Sequence, residues 1–145
     1  MRRNSFGCIA VILVAQVLAT AAGSQAPTVR INDLHKNPLD AGSLRFTISK
    51  LKATRLLGGN GTIDLRIDNQ SDSFTTFAPS HLVFVGADGH QVDVFGIALF
   101  KSVYNPGDTD LAPHAYVEPQ YTLTDEIALP AKLYYDRQLL AQITK

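Results

Sequence analysis

The stretch that decides the fold is TIDLRID, residues 62–68, in which apolar and polar side chains alternate without interruption. Ile63, Leu65 and Ile67 share one parity, so this segment is predicted to be a β-strand with one buried face. The same alternation occurs over 44–49, and the turn sequence GGNG at 58–61 separates the two stretches. Because glycine and asparagine tolerate positive φ, this arrangement predicts a β-hairpin. The alternation slips near Lys50, which indicates a β-bulge.

Further short strands are predicted on the C-terminal side of this hairpin. Residues 82–85 are apolar on both parities, as in a central strand covered on both faces. Ala87-Asp88-Gly89 forms a turn, and residues 91–97 return as the next strand. Pro119 lies within a strand predicted over 116–123 and places it at an edge or a bulge. The chain closes with a predicted hairpin of 132–135 and 139–143, for which a helix over 136–144 is the alternative.

Many short strands with frequent turns predict one antiparallel β-sandwich. Nine apolar side chains should form its core: Leu44, Phe46, Ile48, Ile63, Leu65, Ile67, Leu82, Phe84 and Val94.

Composition narrows the class of protein. The 145 residues carry 13 basic and 13 acidic side chains, which does not fit a strongly cationic nucleic-acid-binding protein. The single cysteine, Cys8, lies near the N-terminus, so the body is expected to have no disulfide and no cysteine-based metal site.

The N-terminal segment has the order of a secretory signal peptide: Arg2 and Arg3, an apolar run from Cys8 to Ala15, and small residues over 19–24. Cleavage is expected after Ala21 or Ala26, and an uncleaved membrane anchor is the alternative. The predicted organisation is a signal peptide over 1–26, an extended lead-in over 27–43 and a sandwich domain over 44–145. The processed protein is expected to be secreted or periplasmic, without a stable membrane anchor.

Four segments carry a resemblance to a known family: residues 67–71, residues 82–89, Leu111-Ala112-Pro113 and residues 132–136. In this order they resemble the immunoglobulin-like "immunoprotective extracellular" domains of bacteria. The resemblance covers roughly 44–145. It implies an immunoglobulin-like, secreted β-sandwich, and its motifs carry no catalytic residue.

Candidate catalytic and metal sites are few. The four histidines have no ligand spacing, and no metal or cofactor is expected. Asp108 and Asp110 are interpreted as turn residues, with a calcium loop as the alternative. Ser80 and His81 would point to opposite faces of a strand, which does not fit a hydrolase. We therefore expect no enzymatic activity.

Aromatic residues suggest an interaction surface. The longest loop is predicted over 98–115 and carries Phe100 and Tyr104; together with Tyr116, which follows it, these are the candidate binding residues. Packing of Phe100 into the end of the sandwich is the alternative. The expected function is a non-catalytic module that binds an unknown protein or envelope component. The alternatives are a structural domain of an envelope assembly and an enzyme whose site the sequence does not reveal.

Overall fold

The computed structural model describes residues 25–54, 61–99, 102–104 and 107–145. Fourteen strands lie in these residues: β1 Thr28–Arg30, β2 Leu39–Ala41, β3 Leu44–Lys52, β4 Thr62–Asn69, β5 Thr75–Phe77, β6 Leu82–Val85, β7 Gln91–Phe95, β8 Ile97–Leu99, β9 Ser102–Tyr104, β10 Thr109–Leu111, β11 Tyr116–Val117, β12 Gln120–Leu123, β13 Ala131–Tyr135 and β14 Gln138–Thr144. Two short 3-10 helices span Ile31–Lys36 and Pro79–His81. No helix in the described part of the chain is long and apolar enough to cross a membrane.

Ten strands form one curled sheet in the order β1-β14-β13-β6-β7-β12-β4-β3-β2, with β11 also paired to β4. We call β1, β14, β13, β6 and β7 sheet A, and β12, β11, β4, β3 and β2 sheet B. The two meet where Leu123 of β12 pairs with Val94 of β7. At the far ends, β14 approaches β2, and the Gln138 Nε2 group donates to the Asp40 carbonyl at 3.5 Å. The predicted all-β, sandwich-like fold is confirmed.

The hairpin read from the sequence organises sheet B. Strands β3 and β4 pair antiparallel, and the register shifts between Ile48 and Lys50, which confirms the predicted bulge. All nine predicted core residues are buried, with at most 7% of each exposed. The C-terminal hairpin is confirmed as β13 and β14, so the alternative of a helix over 136–144 is wrong. The Ala87–Gly89 turn is also present, and Gly89 has a φ of +80° there.

The structure corrects the predicted loop over 98–115. This region contains β8 and β9, which pair with each other, and β10, which pairs with β5. Each of these strands has only three residues, too few to show a periodic pattern in the sequence. The strand predicted over 116–123 is divided into β11 and β12, which both pair with β4. Between them, the Pro119 carbonyl accepts from the Leu65 N–H at 3.0 Å.

Residues 27–43, expected as an extended lead-in, contribute two strands and a 3-10 helix. Strand β1 pairs in parallel with β14, an exception to the otherwise antiparallel sheet, and β2 pairs with β3. Leu34 and Leu39 are both buried in the core. This segment therefore closes both ends of the curled sheet.

Aromatic rings fill the end of the core beneath the β5–β10 ribbon. Phe77 of β5 stacks on Tyr135 with ring centroids 5.7 Å apart, and Phe46 lies 4.9 Å from Tyr135. The Tyr135 hydroxyl accepts a hydrogen bond from the Ala78 N–H at 3.1 Å. Burial raises the pKa of the nearby Tyr121 phenol to about 12, because the charged phenolate is disfavoured away from water.

Candidate functional site

The three aromatic residues proposed from the sequence differ in what the structure says of them. Phe100 lies outside the described residues. The backbone of Tyr104 pairs with Ile97 in the β8–β9 hairpin, and the side chain of Tyr104 is not among those that the structure describes. Tyr116 lies on β11 opposite Asp68 of β4 and is 52% exposed. Tyr116 is therefore the member of the set around which a site can be built.

The ring of Tyr116 is held against an arginine on the outer face of sheet B. The Arg66 Cζ atom lies 3.7 Å from the ring centroid, which is a cation–π contact. Arg66 Nε and Nη2 donate to Asp68 Oδ1 at 3.1 and 2.9 Å, and Nη1 lies 3.5 Å from Glu118 Oε1. The hydrogen bonds to Asp68 raise the pKa of the Arg66 guanidinium, so it stays charged. Arg66 and Asp68 lie two residues apart on β4, so both side chains project from the same face and can pair.

A second arginine extends this array across β4. Arg45 of β3 lies opposite Asp68 in the register, so Arg45, Asp68 and Tyr116 form one row across three strands. Arg45 makes a two-point contact with Asp40, at 2.7 Å from Nε to Oδ1 and 3.1 Å from Nη2 to Oδ2. These hydrogen bonds lower the pKa of Asp40 below its usual value. A shallow depression of about 530 Å³ lies beside this row and is lined by Arg45, Asp68, Asn69, Gln70 and His114.

A buried amide fixes the loops at the rim of the depression. The Asn69 side chain donates to the carbonyls of Ser73, Leu111 and Ala112 at 2.7–3.1 Å. Its oxygen accepts from the backbone N–H and the hydroxyl of Ser71. Asn69 continues the inward parity of Ile63, Leu65 and Ile67, which is the sequence signal that marks it as a buried polar residue. It joins the loops over 70–74 and 112–115 at the end of β4.

Two further features complete this end of the molecule. His114 has a φ of +57°, and its Nε2 atom lies 2.8 Å from Asp72 Oδ1, which links the same two loops again. Phe74 projects from the first loop and is 72% exposed, a residue that the sequence analysis did not single out. We define the Tyr116 surface as Arg45, Arg66, Asp68, His114, Tyr116 and Glu118. It offers an aromatic ring and fixed hydrogen-bonding groups, which suit binding rather than covalent chemistry.

Ser80 and His81 lie in the 3-10 helix over Pro79–His81, so the assumption that they sit on a strand is wrong. His81 Nδ1 is 3.6 Å from Asp136 Oδ1, beyond hydrogen-bonding distance, and both side chains are more than half exposed. The arrangement therefore lacks the buried, oriented acid of a catalytic triad.

Asp108 and Asp110, the candidate calcium ligands, lie in different local environments. Asp110 lies on β10, where its carboxylate accepts from the Thr76 hydroxyl of β5 at 2.6 Å, while Asp108 precedes the strand and is exposed. Within the described ranges, no three His, Cys, Asp or Glu side chains are grouped so that they could hold a metal ion.

Comparison with known proteins gives a distant structural likeness. The chain matches no family model and no curated protein sequence. A crystal structure of the yjhA protein from Bacillus subtilis is similar over 76% of this chain and 82% of that chain, with 13% sequence identity and a TM-score of 0.49.

Proposed function

We propose that this protein is a non-catalytic binding module and that the Tyr116 surface contacts its partner. The observation that carries the proposal is the ring of Tyr116, which is half exposed and packs against Arg66, a side chain that Asp68 and Glu118 hold in place. Tyrosine and arginine are enriched among the residues that contribute most to binding at protein interfaces. A side chain that is already held in place loses little conformational entropy when a partner binds.

The charges around Tyr116 favour one class of partner. Two arginines, Arg45 and Arg66, are set against four carboxylates, namely those of Asp40, Asp68, Asp72 and Glu118. Asp40, Asp68 and Glu118 engage the two arginines, and Asp72 lies against His114, so carboxylates outnumber arginines on and beside this surface. A partner that presents cationic groups and an apolar contact for Tyr116 and Phe74 fits this surface best.

The proposal is tested by affinity capture from an envelope extract, with the purified protein immobilised as bait. Tyr116→Ser should lose the captured partner, whereas Phe95→Ser, at an exposed aromatic on sheet A, should retain it. Both variants should unfold at the same temperature as the wild type, since neither ring is buried. A partner retained equally by Tyr116→Ser and wild type would place the contact elsewhere.

We further propose that the protein acts outside the cytoplasm as an immunoglobulin-like domain. The order of basic, apolar and small residues over 2–24 supports export, and the quoted motifs over 67–136 support the family. Mass spectrometry of the exported product tests the first part. It should give an N-terminus between Ala22 and Pro27, and a product that still carries Arg2 and Arg3 would refute cleavage.

A further inference from the structure

The outer face of sheet A carries a row of apolar side chains. Tyr134 of β13 lies opposite Val83 of β6 on one side and Leu139 of β14 on the other. All three are half-buried and point away from the core, because their neighbours Leu133, Leu82 and Leu140 are buried. The register shift between Leu133 and Tyr134 brings Leu139 into this row. We call Leu139, Tyr134 and Val83 the outer row.

The outer face of sheet A carries more apolar side chains than a face exposed to water usually does. Strand β6 has apolar residues on both parities, a pattern typical of strands covered on both faces. In the structure Leu82 and Phe84 are buried, whereas Val83 and Val85 are half-buried beside a groove of about 400 Å³. Tyr134 and Arg137 line the same groove. The sequence of β6 thus fits a face that another molecule covers.

We propose that the outer row is the contact between two copies of this chain. The charges around it are balanced in sign: the exposed Lys132 and Arg137 stand against the exposed Asp136 and the half-buried Asp93. Among the described residues, Lys132 and Arg137 have no ion-pair partner. A strongly acidic or basic partner would gain little from a neutral face. A face with both signs can instead complement itself across a two-fold axis.

The order of residues along β13 defines the symmetry. A two-fold axis that crosses the strands along the outer row stacks two copies of sheet A, with β13 antiparallel over its counterpart. Tyr134 then packs against Tyr134 of the second copy, at the roughly 10 Å spacing of packed sheets. Lys132, two residues before Tyr134, faces Asp136 of the second copy, two residues after it. Because of the two-fold symmetry, this ion pair occurs twice in the dimer. Arg137 faces the amide of Gln142, which lies opposite Lys132 in the register.

The contact is expected to be weak and to leave the Tyr116 surface free. Three short strands bury less than the roughly 800 Å² per partner of a standard interface, which is the size range of weak, transient contacts, and we take a dissociation constant on the order of 100 µM for the design of the test. The Tyr116 surface lies on the outer face of sheet B, away from this contact. A dimer would therefore present two such surfaces, which increases the avidity for a multivalent partner.

Sedimentation equilibrium of the purified protein tests the proposal through a reciprocal charge exchange. Lys132→Asp places two aspartates opposite each other, and Asp136→Lys places two lysines opposite each other, so each variant alone should associate at least tenfold more weakly than the wild type. An equimolar mixture of the two restores both pairs and should form a heterodimer. Lys52→Asp, at an exposed lysine on sheet B, is the matched control and should associate like the wild type.

Tyr134→Lys gives an independent result that does not depend on the turn at Asp136, which has a φ of +45°. It should abolish association while leaving the melting temperature within a few degrees of wild type, since Tyr134 is only half-buried. The proposal is overturned if the wild type stays monomeric at about 1 mM, ten times the expected dissociation constant. It is also overturned if folded Lys132→Asp or Tyr134→Lys dimerises like the wild type, or if the charge-exchanged mixture of two folded variants shows no heterodimer.

Discussion

Replacing Asn69 by alanine should destabilise the protein by about 2–4 kcal/mol, which makes this amide a sensitive test of the structure. The side chain, only 2% exposed, donates to three carbonyls and accepts twice from Ser71. In the alanine variant, water can reach the partly exposed groups of Ser71, Ser73 and Ala112. The buried contact to the Leu111 carbonyl has no such replacement, and an unsatisfied buried group costs about 1–3 kcal/mol. The rest of the estimated loss of stability comes from the other hydrogen bonds of Asn69, each with a net contribution of about 0.5–1.5 kcal/mol. Hydration of the groups left behind recovers part of this loss.

Asn69→Asp sharpens this test because it exchanges the donor for an acceptor without changing the shape. At neutral pH the carboxylate would face three carbonyl oxygens, so this variant should be less stable than Asn69→Ala. The surroundings raise the folded-state pKa of the new carboxyl above its unfolded value. The destabilisation is therefore full above the folded-state pKa and is relieved as the pH falls through it.

Urea unfolding followed by circular dichroism, at neutral and acidic pH, measures all three proteins. Gln120→Ala is the control, because Gln120 is exposed and, among the described residues, its amide donates only to Asp64, so its loss should cost less than about 0.5 kcal/mol. The reasoning is refuted if Asn69→Ala unfolds within about 0.5 kcal/mol of the wild type, or if Asn69→Asp is the more stable variant at neutral pH.

Three further outcomes are expected. Leu65→Ala should cost about 2–5 kcal/mol in urea unfolding, because Leu65 is buried in the middle of β4; a loss too small to measure would mean that it has no core contacts. Tyr121 should make the protein less stable in alkali: its pKa is raised from 10.0 to about 12 in the folded state, so the stability present below pH 10 is lost as the pH rises through this window. Tyr121→Phe should remove part of that pH dependence, and an unchanged alkaline unfolding curve would argue against the burial of the phenol. Chelators and reducing agents should leave the melting temperature unchanged; a fall on adding a chelator would reinstate a metal site at Asp108 and Asp110.

Local pattern was sufficient to predict the parts of the fold that depend on alternation. The β3–β4 hairpin and its bulge follow from apolar side chains two residues apart and from a single slip at Lys50. Strands β8, β9 and β10 could not be found in this way. Three residues such as Thr109-Asp110-Leu111 have no recognisable period, and they become a strand because β5 supplies the matching hydrogen bonds.

The candidate site was predictable only in part for the same reason. The sequence places Arg66 and Asp68 on one face of one strand, which is enough to predict their pairing. It does not show that Tyr116, 48 residues after Asp68, pairs with it in the register. That contact depends on the tertiary pairing of β11 with β4, and β12 continues the same register along β4 on the other side of Pro119. The sequence therefore contains the residues of the Tyr116 surface, but only the tertiary structure shows that they lie side by side.

The outer faces of the two sheets differ in a way that bears on how each would bind. On sheet B, outward side chains such as Arg45, Arg66 and Asp68 already satisfy one another, so a partner must compete for groups that are engaged. On sheet A, the outer row of Leu139, Tyr134 and Val83 is apolar and half-buried, so covering it breaks no ion pair of these side chains. Burial of apolar surface favours association without such competition. The polar face is therefore suited to selecting a partner, and the apolar face to a contact whose specificity comes from symmetry and two reciprocal charges.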